Sequence, residues 1–133
     1  MKVLFICRAN WHRSQIAEAV YNKLTDSDDA ISAGTYIDVP GQPGDKIIGH
    51  MPEDFFRVME SHGMDLREKI SKKLTLEMLK GADVAISMAE EPYVPDFLRV
   101  DPKVIWWDVK DGGLVEEKYQ EIAGLVQGLI GKK

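Results

Sequence analysis

Short unbroken apolar runs alternate along the chain with stretches in which apolar residues return every three or four positions. Residues 2–6, KVLFI, are too few for a helix and run apolar without a break after Lys2, the pattern of a strand buried on both faces of a parallel sheet. In residues 14–24, Ile16, Ala19, Val20 and Leu24 recur at helical spacing. Ser14 falls near the cap of that helix and Glu18 in its first turns, where a hydroxyl and a negative charge suit unpaired N–H groups. Further strands are predicted at 30–33, closed by Gly34, at 83–88 and at 104–107. A helix is predicted over 53–62, offering Phe55, Phe56, Val58 and Met59 to a core and stopped by Gly63. Another is predicted over 75–80, capped by Thr75 and followed by Gly81. A helical turn is expected within 92–98, and a closing helix with a Val, Ile and Leu face over 115–130. Residues 40–52, bounded by Pro40 and Pro52 and carrying glycine at 41, 44 and 49, read as a loop.

Alternating strands and helices imply an α/β fold, a parallel sheet with helices on both sides. In such sheets ligands bind outside the carboxyl ends of the strands. Cys7, the residue after the first apolar run, falls at that end.

Composition narrows the picture. With 133 residues, 44% of them hydrophobic, the chain fits one domain spanning 1–133 and is short for two. Its net charge of −5 is dispersed, which favours neither nucleic acid nor an acidic membrane surface as partner. No apolar stretch approaches the roughly 20 residues of a membrane span. The single cysteine excludes a disulfide within the chain. The run VLFI, followed at once by Cys7 and Arg8, lacks a signal-peptide layout, so a reducing, cytoplasmic setting is expected. His12, His50 and His62 show no metal-ligand spacing, and neither a metal nor another cofactor is expected.

Residues 7–14 read CRANWHRS, between the first strand and the first helix. Such a junction leaves backbone N–H groups pointing into the turn, where they suit an anion. If residues 8–13 wrap around one centre, the amides of Arg8, Ala9, Asn10, Trp11 and His12 meet the oxygens of a phosphoryl group. The planar fork of Arg13 can then bind two of those oxygens together. The same donors favour ionised sulfur, making Cys7 a nucleophile at the base of a phosphate cradle. Asn10 tolerates the left-handed backbone that a tight anion loop requires. The Ser14 hydroxyl can donate to the thiolate, aiding sulfur both as attacking and as leaving group. Taken singly, Cys7 also fits a core thiol, Arg13 a surface residue, Ser14 a helix cap and Ser32 a strand end. C-x5-R-S at a strand–helix junction favours the joint reading.

The block VLFICRANWHRSQIAEAVYNKL resembles the N-terminal signature of the low-molecular-weight protein tyrosine phosphatases and the related thiol-dependent arsenate reductases. ISAGT at 31–35, SHGMDL at 61–66, KLTLEMLKGADVAISM at 73–88 and WWDVKDGG at 106–113 resemble that family's later blocks in the same order. The resemblance implies a four-stranded parallel sheet flanked by helices in three layers. It also implies hydrolysis through phosphocysteine on Cys7, with Arg13 and the loop amides holding the transferred group and an aspartate protonating the leaving oxygen. Asp111 matches the family's acid and Asp108 an earlier, loop-shaping position. Ser32 matches the serine that supports the loop asparagine, here Asn10.

The chain departs from the family pattern at three places. Gly112 stands where proline follows the acid, which removes a restraint on the acid loop. His12 stands where many members carry a second cysteine, so an oxidised Cys7 would depend on an external thiol. Gly112, Gly113 and Leu114 replace the aromatic residues that flank a phenyl ring; Trp11, Tyr36 and Trp107 are the substitute walls, although Trp106 and Trp107 also suit a core. Lys72 and Lys73 read as a solvated face. The leading expectation is a phosphatase acting on a phosphorylated protein or a small aryl phosphate. The alternatives are an arsenate reductase served by an external thiol or a glutaredoxin-like partner, toward which Gln15 tilts, and a non-catalytic oxyanion-binding module.

Overall fold

Every residue of β1 (Val3–Cys7) is buried, as its unbroken apolar run requires. The computed structural model describes residues 1–36 and 44–131, so 40–43 of the expected loop lie outside the described residues. β1 lies between β2 (Ala30–Gly34) and β3 (Val84–Ser87), and β4 (Val104–Trp106) forms the edge beyond β3. All these pairings are parallel. The register sets Cys7 beside Gly34 and Ile6 beside Ser87, so the carboxyl ends of the three strands finish together.

Successive side chains of β1 divide between the two faces of the sheet. Val3, Phe5 and Cys7 pack with Ile16 and Tyr21 of α1 (Arg13–Thr25), Phe55, Phe56 and Met59 of α2 (Glu53–Ser61), and Ile122 and Val126 of α5 (Val115–Gly131). Leu4 and Ile6 pack on the opposite face with Leu79 of α3 (Leu76–Gly81) and Leu98 of α4 (Asp96–Arg99). The expected three-layer α/β architecture, with its four parallel strands, is the one observed.

Several local expectations need correction. α1 begins at Arg13, with His12 as the flanking residue, so Ser14 lies inside the first turn and does not cap the helix. Leu24 is exposed, and Tyr21 is the buried residue of that turn. The 40–52 segment is not all loop, because Ile47–Gly49 form a 3-10 turn that buries Ile47. Lys72 is half-buried, and burial pushes its ammonium below the usual lysine range, whereas Lys73 is exposed as expected. Thr75 does cap α3, its hydroxyl accepting the Met78 N–H at 3.1 Å. Among the described residues, no helix is long and apolar enough to cross a membrane.

Candidate active site

The chain leaves β1 at Cys7 and enters α1 at Arg13 through a loop whose pivot is Asn10, buried and left-handed with φ 61°. Its Nδ2 donates to Ser14 Oγ at 2.8 Å and to Ser32 Oγ at 2.9 Å, and its Oδ1 accepts the Lys72 N–H at 2.8 Å. A backbone N–H can only donate, so the Lys72 contact fixes which way the amide faces. Ser14 Oγ lies 3.0 Å from Cys7 Sγ. Because this hydroxyl accepts from Asn10, its own proton is free for the sulfur, where it stabilises negative charge.

The polar line continues inward. Ser32 Oγ donates to Glu18 Oε1 at 2.8 Å, and Glu18 Oε2 accepts from Lys69 Nζ at 3.1 Å. Glu18 therefore does not serve free N–H groups at the helix start. It lies one turn beyond Ser14 on the buried face of α1. Gln15 is likewise structural, its Nε2 donating to the carbonyls of Asn10 at 3.2 Å and Ile70 at 3.0 Å. That role accounts for a glutamine at position 15 without reference to arsenate.

Gly34 lies directly under the loop. A Cβ there would stand 2.8 Å from Arg8 O and 2.9 Å from the Ala9 carbonyl carbon, both of them backbone. Gly34→Ala is expected to displace residues 8–10, destabilising the fold by about 1–3 kcal/mol. Phosphate binding should weaken in parallel. Thermal unfolding and phosphate titration of the variant check both effects.

Cys7 lies at the floor of a cleft of about 610 Å³ that Arg8, Ala9, Trp11, His12, Arg13 and Asp111 also line. Among the described residues, the backbone N–H groups of residues 8–12 have no acceptor, which leaves them for an anion. Trp11 lies stacked on His50 with ring centroids 4.4 Å apart, and Tyr36 sits 4.8 Å from Tyr93. Trp11, Tyr36 and Tyr93, with Met51 and Val115, give the cleft its apolar walls. Trp107 is not among them. It packs on Phe5 at 6.0 Å and lines a separate cavity of about 380 Å³.

Arg13 is buried and heavily engaged. Nη1 donates to Met88 O at 2.6 Å and Val109 O at 2.9 Å, and Glu90 Oε2 and Oε1 receive Nη1 at 3.2 Å and Nη2 at 3.3 Å. Nε is buried with no hydrogen-bond partner among the described residues. The two-oxygen fork is thus open on one side only, through Nε and the second N–H of Nη2.

Asp111 Oδ1 stands 3.6 Å from His12 Nδ1 and 3.8 Å from Arg13 Nε. The His12 ring, followed by the Arg13 guanidinium and the Gly112 N–H, outweighs partial burial and holds this carboxyl down to about 2. Asp108 is exposed and pairs with Lys110 Nζ at 2.7 Å. The missing proline does not leave the loop untied. Gly112 and Gly113 adopt φ of 82° and 86°, which a proline ring cannot reach, and Lys118 Nζ of α5 holds Lys110 O at 2.5 Å.

The structure brings Cys7, Arg8, Ala9, Trp11, His12, Arg13 and Asp111 to one cleft and buries Ser14 behind the sulfur, with Asn10 and Ser32 behind Ser14. Sequence reasoning missed Glu90, Tyr93 and Lys118, which reach the site from distant elements. It also missed the buried task of Glu18, for which polar residues at 14 and 18 on an apolar helix face were a usable signal. Among the described residues, no group of three or more His, Cys, Asp or Glu side chains could hold a metal.

Over residues 2–95 the sequence matches the family model described as low molecular weight phosphotyrosine protein phosphatase. No curated protein matches it. The low molecular weight protein tyrosine phosphatase from T. tengcongensis is similar over 100% of this chain and 99% of its own, with 27% identity and a TM-score of 0.77. The YwlE arginine phosphatase from Geobacillus stearothermophilus shares 21% identity over 98% of this chain and 91% of its own, with a TM-score of 0.78. A Corynebacterium glutamicum thioredoxin-dependent arsenate reductase shares 23% identity over 98% of this chain and 60% of its own, with a TM-score of 0.71. The last two likenesses concern the fold alone.

Proposed function

Because this chain belongs to the low molecular weight phosphotyrosine protein phosphatase family, we propose that it hydrolyses phosphomonoesters, phosphotyrosine foremost, through a phosphocysteine on Cys7. The observation that carries this reading is the sulfur at the cleft floor, 3.0 Å from the Ser14 hydroxyl and beneath the unpaired N–H groups of residues 8–12. Those amides and the Nε side of Arg13 take the phosphoryl oxygens. The Cys7 thiolate attacks phosphorus as the bond to the leaving oxygen breaks, and Asp111 gives that oxygen its proton. Water then attacks phosphocysteine and yields its proton to Asp111. The S–P bond breaks and phosphate leaves, with the returning thiolate supported by Ser14. The aromatic walls from Trp11, Tyr36 and Tyr93 suit an aryl leaving group.

Asp111 must hold a proton to act first as an acid, yet the His12 ring and the Arg13 guanidinium hold it down to about 2. A bound phosphoryl group brings negative charge against Arg13 and the carboxyl together. This counters the cationic field and raises the carboxyl toward the range that catalysis requires.

The test is the pH profile of p-nitrophenyl phosphate hydrolysis. Asp111→Asn is expected to lower kcat by about 10²-fold and to remove the fall in kcat on the alkaline side. Asp108→Asn should keep both. Loss of that limb in Asp108→Asn alone would transfer the acid role. Arsenite production with a thioredoxin or glutaredoxin, without phosphate release, would replace this reading with oxyanion reduction resolved by an external thiol. Phosphate binding without turnover on any phosphomonoester would replace it with a binding module.

A further inference from the structure

We propose that the Arg8 side chain forms a second anion subsite at the mouth of the cleft, selecting phosphomonoesters that carry another negatively charged group. The proposal rests on the phosphatase reading and deepens it by naming the substrate class. Arg8 lines the same cleft as Cys7 and is half-buried. Its Cζ lies 3.9 Å from the centroid of the Tyr93 ring and 5.7 Å from that of Tyr36, so the guanidinium rests on a pair of aromatic rings. Its backbone is fixed as well, since the Arg8 carbonyl accepts the Tyr36 N–H at 2.8 Å.

The charge is uncompensated among the described residues. Glu90 and Glu91, the acids of the segment that carries Tyr93, face other arginines: Glu90 lies on Arg13 at 3.2 Å and Glu91 on Arg99 at 2.9 Å. Asp111 is turned toward His12 and Arg13. A guanidinium seated against aromatic rings has lost much of its rotamer freedom before any ligand arrives. Its planar fork of donors matches a carboxylate or a phosphate. The Arg8 N–H belongs to the cradle, and its side chain extends along the walls that would flank the leaving group. The group recognised is therefore a second anion beyond the scissile phosphoryl. It can be an Asp or Glu beside phosphotyrosine, or a carboxylate on a small aryl phosphate.

The experiment compares matched phosphotyrosine peptides flanked by Glu, Gln or Lys, and carboxyphenyl phosphate against its carboxamide. At low ionic strength kcat/KM is expected to favour the anionic member by about threefold to fivefold and to lose that preference as salt rises. In Arg8→Gln the ratio should fall toward unity whatever happens to the absolute rate, and Tyr93→Leu should lower it part way. A preference within the peptides, the small esters or both identifies the source of the anion. Calorimetric binding of the same peptides to Cys7→Ser protein gives an independent ratio. If wild type turns over none of the substrates, the phosphatase reading fails, and this ratio still judges the subsite. Equal values for acidic and neutral flanks, a preference that survives Arg8→Gln, or no measurable binding of either peptide would overturn the proposal.

Discussion

Cys7→Ser should abolish turnover of aryl phosphates, by about 10⁵-fold or more, while leaving the loop able to bind an oxyanion. A serine hydroxyl is nearly isosteric with the thiol and can keep a hydrogen bond to Ser14, which lies 3.0 Å from the sulfur. It stays protonated where a thiol ionises, so no comparable nucleophile forms. An alkoxide is also a far poorer group to expel when water attacks the intermediate. The donors at residues 8–12 and Arg13 do not depend on sulfur. Phosphate or tungstate should therefore bind the variant within a few-fold of wild type, as calorimetry would show. Activity within about a hundredfold of wild type would exclude covalent catalysis by Cys7.

Arg13→Lys is expected to reduce kcat/KM by about 10³-fold and to lower the melting temperature as well. The two losses share one cause. Arg13 holds the Met88 and Val109 carbonyls through Nη1 while facing Glu90 with both Nη atoms. It thereby ties the end of β3 to the acid loop and presents Nε toward Asp111. One ammonium cannot serve two carbonyls, a carboxylate and a bound phosphoryl group from the same point. Each buried carbonyl left without a donor costs about 1–3 kcal/mol. A variant that lost activity but melted like wild type would show that these ties contribute little, confining Arg13 to substrate binding.

The parts of this molecule that could be read from sequence are those set by local pattern. The KVLFI run and the apolar residues of α1 needed only periodicity to become a central strand and its covering helix. C-x5-R-S needed only its place between them. Residues brought in by loop closure were not legible. Glu90 and Tyr93 follow β3, and nothing near them in sequence states that this segment folds back over residues 8–13. Trp107 was misplaced for a related reason: beyond the last paired residue of a short edge strand, alternation no longer says which way a side chain faces. The acid loop misled through a rule applied without its context. Loss of proline removes stiffness when other angles stay the same, but here Gly112 and Gly113 take positive φ and Lys118 supplies the tie. Leu24 shows the remaining weakness, since a helical stripe predicts a face and not where along it burial ends.

The hydrogen-bonded line from Cys7 through Ser14, Asn10 and Ser32 to Glu18 engages every side-chain proton of Asn10 and of both serines. Transplanting residues 7–14 alone into a foreign strand–helix junction would import an asparagine amide with nothing to receive or feed it, and the turn would relax. A working graft has to carry the serine of the neighbouring strand and the glutamate one turn into the helix. The smallest portable unit of this chemistry is therefore the strand–helix–strand module together with the stretch that supplies the Lys72 N–H, and not an eight-residue motif.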